Sequence, residues 1–194
     1  MAHDYEVLGT ETVYEGHVVT LRLDTVAMPG GGESVREVVR HGGAVGIVAL
    51  DDQDRVVMIR QYRHPVAAHL WEVPAGLLDV DGEAPVDAAR RELAEEVQLS
   101  AERWSLLTTH HPSPGFCDEK VLLYLAEGLS SVDRPEGFVV EHEEADMTVQ
   151  RVPLAQAVQW VFDGTIRNSL AAIGVLAAAQ VRATAPQLRP LDAV

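Results

Sequence analysis

The stretch from Gly76 to Leu99, GLLDVDGEAPVDAARRELAEEVQL, constrains this chain more than any other part of it. Pro85 suits the first turn of a helix, because its fixed φ fits there and its missing N–H would have no partner. Apolar residues then recur at spacings of three and four, which predicts one helix face packed on a core. That face consists of Val86, Ala89, Leu93 and Val97.

Three glutamates near the end of this predicted helix are placed where they cost stability. Glu92 and Glu96 lie one turn apart on a flank of the apolar face, and Glu95 follows Arg91 by four residues. The helix dipole disfavours negative charge in a last turn, and crowded carboxylates raise one another's pKa unless a cation compensates them. Two interpretations follow. The glutamates form a solvated acidic face balanced by Arg90 and Arg91, or they supply oxygen ligands to a divalent cation such as Mg²⁺.

The spacing of these acids also resembles a family signature. Glu83, seven residues, and then RELAEEV over residues 91–97 resemble the Nudix box of the Nudix hydrolases. Gly76 matches the upstream glycine of the box with one residue more than the usual spacing, as in actinobacterial-type ADP-ribose pyrophosphatases. Gln98 replaces a box glycine that suits the left-handed turn after a helix. The resemblance implies a Nudix hydrolase of the ADP-ribose pyrophosphatase type.

The resemblance implies a metal site built on the box. Glu92 and Glu96 match the metal-ligand positions, and the backbone carbonyl of Ala75 completes the site. Glu95 assists the metal or pairs with Arg91. The implied cofactor is Mg²⁺ or Mn²⁺.

The acidic run EHEEAD at residues 141–146 resembles the loop that delivers a catalytic glutamate to the metals in ADP-ribose pyrophosphatases. Glu144 is the predicted base, and Glu143 is the alternative because the alignment is ambiguous by one residue. A solvated acidic loop is the competing interpretation.

Three segments resemble substrate-binding parts of the family. Arg63, at a predicted strand end, matches an arginine that contacts the diphosphate. The Arg36-Glu37 pair matches one that holds the adenosine moiety from the partner subunit, although His17 stands where a stacking aromatic is found. The proline of the segment Ser113, Pro114 and Gly115 marks members that prefer ADP-ribose. Both arginines could instead be ordinary surface residues.

Composition limits the other possibilities. A net charge of −15 argues against a nucleic-acid or anionic-membrane partner, since both need a basic patch. Cys117 is the only cysteine, which indicates a reducing compartment. With no long apolar run and no signal-peptide core at the start, we expect a cytoplasmic protein.

Alternating strand patterns and amphipathic helices predict an α/β fold. We expect a Nudix-type α/β/α sandwich with a mixed sheet and an N-terminal β-hairpin subdomain. The hairpin turn is the Met28–Gly32 run. Residues 1–40 are predicted to form the dimerising subdomain that contributes to the partner's site, and residues 41–194 the Nudix domain. The predicted elements of the second part are strands at 42–50, 55–63, 70–73, 104–109, 120–126 and 147–152 and helices at 85–97, 153–162 and 169–183.

The resemblance thus implies a metal-dependent homodimer that hydrolyses ADP-ribose to AMP and ribose 5-phosphate. One alternative is the same chemistry on another nucleoside-diphosphate sugar or dinucleotide. A second is a domain that senses a nucleotide without cleaving it, against which the intact Glu92 and Glu96 argue. Cys117 beside His110-His111 lacks a catalytic motif, and the tryptophans are expected to serve in packing.

Overall fold

The computed structural model describes residues 4–135 and 146–191. Within them, the chain divides into two compact units. The first comprises the residues up to Gly43 together with His110–Lys120, and the second comprises Ala44–Thr109 and the residues from Val121 onward. The described strands are β1 (Val7–Glu15), β2 (Val19–Ala27), β3 (Glu33–His41), β4 (Ala44–Leu50), β5 (Arg55–Arg63), β6 (Ala68–Glu72), β7 (Ala75–Leu77), β8 (Leu99–His110), β9 (Val121–Ser131) and β10 (Thr148–Pro153). The described α-helices are α1 (Pro85–Val97), α2 (Leu154–Phe162) and α3 (Ser169–Thr184), and a short 3-10 turn covers His64–Val66.

The first unit contains a three-stranded antiparallel sheet in the order β1-β2-β3. Its β2–β3 connection is the predicted glycine turn, closed by a hydrogen bond from the Met28 N–H to the Gly32 carbonyl at 3.1 Å. Gly30, Gly31 and Gly32 all have positive φ, a conformation that other residues adopt at a cost. The glycines therefore make a hairpin turn, and β1 extends the hairpin to three strands.

The second unit contains a mixed sheet in the order β10-β5-β4-β9-β8, with β6 paired to β5 and β7 paired to β4. The central pair β4 and β9 is parallel, whereas β4 pairs antiparallel with β5 and with β7. This arrangement places the short β7, which precedes α1, beside the buried strand β4.

Helices cover both faces of this sheet. Val45, Ile47 and Ala49 of β4 pack in one apolar cluster with α1, while Val48 and Leu50 pack in another with α2 and α3. The alternation follows from the strand period of two. The result is the predicted three-layer α/β/α sandwich.

Helix α1 has the predicted bounds and the predicted core face. Pro85 opens the helix, and Ala89 and Leu93 are fully buried in the first cluster, with Val86 and Val97 packed against it. Burial of a side chain the size of Leu93 contributes about 2 kcal/mol. The apolar face thereby fixes which way the glutamates on its flank point.

Strands β8 and β9 extend well beyond their predicted bounds. Strand β8 begins at Leu99 rather than Trp104, and β9 continues to Ser131. The hydroxyls of Ser100 and Ser130 lie 2.8 Å apart, so polar residues extend this pair beyond its apolar segment. Among the described helices, none is long and apolar enough to span a membrane.

Candidate active site

Strand β7 places its backbone against two glutamates of α1. The Ala75 N–H donates a hydrogen bond of 3.0 Å to Oε2 of Glu96, a residue only 7% exposed. A Cβ at Gly76 would overlap the carboxylate of Glu92. The pairing of β7 with β4 therefore brings together Ala75, Glu92 and Glu96, three of the four predicted metal-site residues.

Arg91 lies among three carboxylates. Its Nη1 donates to Glu92 Oε1 at 2.6 Å and to Glu95 Oε2 at 3.1 Å. Its Nε and Nη2 donate to the two oxygens of Glu83, both at 3.1 Å. The hydrogen bond to Glu83 raises the pKa of Arg91 above its ordinary value. One cation thus serves three anions, and the predicted pairing of Glu95 with Arg91 is present.

Burial raises the pKa of Glu92 from an ordinary value of 4.5 to about 7. The neighbouring Arg91 acts in the opposite direction, whereas the negative charges of Glu95 and Asp79 add to the increase. In the absence of a metal, Glu92 therefore keeps its proton to a higher pH than an exposed glutamate does. An added cation beside this carboxylate would favour its ionised form.

The glutamates offer the hard oxygen ligands that Mg²⁺ prefers. Across residues 4–135 and 146–191, no three His, Cys, Asp or Glu side chains already form a cation site. Arg91 supplies the positive charge instead, because its Nη1 holds both Glu92 and Glu95. Glu92, Glu95 and Glu96 carry the oxygen donors that a divalent cation would use, and two of them bond to Arg91 in this structure.

Arg63 ends β5 and is held by a buried carboxylate. Its Nη2 donates to Glu72 Oε2 at 2.6 Å, and its Nε donates to Glu72 Oε1 at 3.0 Å. Glu72 is 1% exposed, while the side chain of Arg63 is 45% exposed. No sequence-based prediction includes Glu72. Its signal was a single acidic residue inside the otherwise apolar strand end LWEVP at residues 70–74.

Arg36 and Glu37 lie in β3 of the first unit, opposite residues of β2. The Arg36 side chain folds back on its own hairpin, donating from Nη1 to Ser34 Oγ at 2.5 Å and from Nη2 to Met28 Sδ at 3.5 Å. Both residues of the pair are exposed. Their predicted contact with adenosine stays a prediction.

The segment Ser113–Gly115 belongs to the same unit, because its loop pairs with β3. The Val39 N–H donates to the Phe116 carbonyl at 2.7 Å, and the Asp118 N–H donates back to the Val39 carbonyl at 3.1 Å. Arg40 Nε also forms a 2.7 Å ion pair with Asp118. The loop thus bonds to Val39, three residues after Arg36 in the same strand. This long-range pairing was not predicted from the sequence.

Glu143 and Glu144, the two candidates for the base, lie outside the described residues. In Asp146, the first described residue after them, Oδ2 lies within hydrogen-bond distance of His69 Nε2, at 3.1 Å. The assignment of the base stays a prediction.

Cys117 and the tryptophans have no predicted catalytic role, and their contacts are as follows. Cys117 Sγ accepts the Glu119 N–H at 3.4 Å, and no hydrogen bond within the described ranges joins it to a histidine. Trp71 packs against Trp160 with ring centroids 5.3 Å apart. The tryptophans of this pair serve in packing, as expected.

Comparisons with known proteins place these features in a family. The NUDIX domain family matches residues 40–172, and the nucleoside diphosphate sugar hydrolase N-terminal domain matches residues 5–39. The chain is 52% identical over 190 residues to an ADP-ribose pyrophosphatase of Mycobacterium tuberculosis, covering 98% of this chain and 90% of that protein. It is 38% identical over 170 residues to a methanol dehydrogenase activator of Bacillus methanolicus, covering 88% of this chain and 90% of that one.

A solved structure of an ADP compounds hydrolase matches the fold with a TM-score of 0.80. The match covers 94% of this chain and 97% of the other at 23% identity, and it confirms the predicted fold class. The matched NUDIX region spans most of the chain and includes β7, α1 and the glutamates that α1 carries. The chain therefore belongs to the Nudix hydrolase family.

Proposed function

We propose that this protein hydrolyses the pyrophosphate bond of ADP-ribose to give AMP and ribose 5-phosphate. The observation that carries the proposal is the placement of Glu92 and Glu96 against β7, on the helix that bears the Nudix box. The 52% identity to a protein named ADP-ribose pyrophosphatase supports the choice of substrate.

The residues that would hold a divalent cation, Mg²⁺ or Mn²⁺, are Glu92, Glu95, Glu96 and the carbonyl of Ala75. When bound, the cation supplies positive charge that neutralises the diphosphate. Two of the N–H groups of Arg91 bond to Glu83, so Arg91 stays anchored when Glu92 and Glu95 turn away from it. Glu83 thereby keeps Arg91, as a second positive charge besides the cation, next to the site.

The reaction also needs a base. A water oxygen forms a bond to one phosphorus, the bond from that phosphorus to the bridging oxygen breaks, the bridging oxygen leaves with the other phosphate, and the water gives up a proton. In the proposal this proton goes to the carboxylate of Glu144, with Glu143 as the alternative. The family resemblance of the acidic run at 141–146 supports this role.

In this proposal, Arg63 of one subunit and the first unit of the partner subunit bind the substrate. Arg63 orients the diphosphate, a role supported by its half-exposed guanidinium at the end of β5. Arg36 and Glu37 hold the adenosine moiety, and the loop containing Ser113, Pro114 and Gly115 lies against the strand that carries them. A planar arginine fork suits phosphate oxygens better than a lysine would.

We include homodimer formation in the proposal. Every residue of β1 is exposed, and four of its apolar side chains are 52–60% exposed: Val7, Leu8, Val13 and Tyr14. A strand with this many exposed apolar side chains is typical of a protein–protein interface. A two-fold partner would cover it and would receive Arg36 and Glu37 in its own site. A cytoplasmic location, absence of a nucleic-acid or membrane partner and the domain boundary after residue 40 belong to the same proposal.

A nucleoside-diphosphate sugar is the second candidate substrate. The match of residues 5–39 to the nucleoside diphosphate sugar hydrolase N-terminal domain favours it. The chemistry at Glu92 and Glu96 would be the same, and only the group beyond the second phosphate would differ.

A substrate panel tests the proposal. ADP-ribose, ADP-glucose, UDP-glucose and NAD are each incubated with the protein and Mg²⁺, and the products are separated by anion-exchange chromatography. We expect ADP-ribose to have the highest kcat/KM and to give AMP and ribose 5-phosphate in equal amounts. A higher kcat/KM for a nucleotide sugar would support the second candidate, and absence of cleavage of the whole panel would refute both.

A further inference from the structure

Glu72 is a carboxylate that is 1% exposed and that bonds to two side chains of the neighbouring strand β5. Arg63 donates to it from Nη2 at 2.6 Å and from Nε at 3.0 Å. Gln61, itself only 5% exposed, donates from Nε2 to Glu72 Oε2 at 3.2 Å. A buried ion pair is a weak source of stability, because the desolvation of both ions offsets their attraction. The cluster therefore requires another explanation.

The exposure of the two partners is unequal. One edge of the Arg63 guanidinium, Nε with Nη2, faces the buried carboxylate, yet 45% of the side chain remains accessible. An arginine in solution samples many rotamers and loses that freedom when it binds a phosphate. A carboxylate that fixes one edge in advance removes most of that loss. Fixing that edge restricts the orientations that the guanidinium can adopt.

We propose that Glu72 is a positioning residue for Arg63, supported by Gln61, and that it sets the orientation in which Arg63 meets the substrate diphosphate. Glu72 acts through Arg63 and does not touch the substrate. The inference rests on the proposed function, in which Arg63 binds the diphosphate.

The chain contains a matched control for this pair. Asp51 is 7% exposed and accepts hydrogen bonds from Arg55 Nε at 2.8 Å and from Arg151 Nη1 at 3.3 Å. The Arg55 side chain is 35% exposed, so this pair resembles the Glu72–Arg63 pair in chemistry and burial. Asp51 and Arg55 have no role in the proposed site. Loss of either pair should lower stability, but only loss of the Glu72 pair should change catalysis.

The experiment is a double-mutant cycle on kcat/KM for ADP-ribose with saturating Mg²⁺. Glu72→Gln keeps the shape of the side chain and removes its charge, and we expect kcat/KM to fall roughly tenfold to a hundredfold. Arg63→Ala should cost at least as much. In the double variant the Glu72→Gln change should add no further loss, because the residue that it positions is absent. Asp51→Asn and Arg55→Ala should lower the unfolding midpoint while kcat/KM stays within about twofold of wild type.

Gln61→Met provides a second test that keeps the ion pair and removes one hydrogen bond from Glu72. It covers the case in which Glu72→Gln does not fold. We expect a smaller loss of kcat/KM that again disappears in the Arg63→Ala background. If the change at position 61 or 72 lowers kcat/KM by the same factor in the Arg63→Ala background as in wild type, the positioning role is wrong.

Calorimetric titration of the same variants with ADP separates this inference from the proposed function. A wild-type protein that binds ADP but leaves ADP-ribose intact would refute the proposed function. The coupling between Glu72 and Arg63 would then still be expected in the ADP dissociation constants. If Glu72→Gln and Arg63→Ala change the ADP dissociation constant independently of each other, the positioning role is wrong whichever substrate the enzyme uses.

Discussion

Gly76 of β7 makes room for Glu92 of α1, because a Cβ at position 76 would overlap the Glu92 carboxylate. The strand cannot easily retreat, because Gly76 is paired in register with Val45 of the buried β4. The glycine that the box requires upstream of its helix therefore has a steric reason in this protein. It sets how closely a proposed metal-binding glutamate approaches the backbone.

We expect Gly76→Ala to displace Glu92 and to lower kcat roughly a hundredfold, as small errors in active-site geometry do. The control is Glu102→Gln, a change at a side chain that is 78% exposed and lies outside the proposed site. Steady-state kinetics in Mg²⁺ measures the effect, and far-ultraviolet circular dichroism checks the fold. Wild-type kcat in a folded Gly76→Ala protein would show that the position of Glu92 does not matter.

The pKa of Glu92 predicts how stability depends on pH in the metal-free protein. Its folded-state pKa of about 7 lies above the ordinary value of 4.5, so ionisation of Glu92 costs stability as the pH rises between these values. Relative to wild type, Glu92→Gln should become more stable as the pH rises from 5 to 8, by at most about 3 kcal/mol. Urea unfolding in chelator at both pH values measures the difference.

Glu102→Gln is the control for this pH dependence, because the Glu102 side chain is 78% exposed. Its stability relative to wild type should be nearly the same at pH 5 and pH 8. A Glu92→Gln variant that loses stability relative to wild type between these pH values would contradict the raised pKa.

Gln98 ends α1 with φ 55° and ψ 44°, the left-handed conformation that usually favours glycine. Its N–H still bonds to the carbonyls of Leu93 and Ala94, so the helix end closes without the box glycine. Gln98→Gly should therefore stabilise the protein by about 1 kcal/mol, because it removes the Cβ penalty. Gln156→Gly, at an exposed position inside α2, should instead destabilise it by about the same amount. Thermal unfolding of both variants measures these changes in stability. A lower stability of Gln98→Gly would show that the glutamine side chain has its own stabilising contacts.

The proposed homodimer with shared sites predicts complementation between inactive variants. Arg36→Ala and Glu144→Gln should each be nearly inactive as pure proteins. After reversible dissociation and mixing, one site of the heterodimer combines Glu144 of one chain with Arg36 of the other, so activity should return. Demonstrated subunit exchange without recovery would show that Arg36 does not act in the partner's site. If Glu144→Gln stays active and Glu143→Gln does not, the base is Glu143.

The sequence predicts those features that local spacing determines. The period of three and four after Pro85 predicts α1 correctly, and the turn at residues 51–54 correctly separates two predicted strands, which are observed as β4 and β5. The same helical period places Glu92 and Glu96 on one side of α1, where both reach β7. Each of these predictions needs only neighbouring residues.

Pairings between distant residues could not be predicted in this way. The loop of Ser113–Gly115 joins the first unit through hydrogen bonds to Val39, which lies more than seventy residues earlier in the chain. Glu72 likewise gains its partner Arg63 only when β6 pairs with β5. Neither contact leaves a periodic pattern in the sequence, because each depends on how the strands are ordered in the fold.

The central claim is that Glu92 and Glu96 hold the cation that hydrolysis of ADP-ribose requires. Its most direct test is the release of AMP from ADP-ribose by Glu92→Gln and Glu96→Gln at saturating Mg²⁺, beside wild type and Glu102→Gln. Loss of charge stabilisation at a reacting centre typically costs roughly a hundredfold to a thousandfold in kcat. We predict a decrease of at least that size for both box variants and wild-type turnover for Glu102→Gln. Turnover near that of wild type in either folded box variant would contradict the assignment.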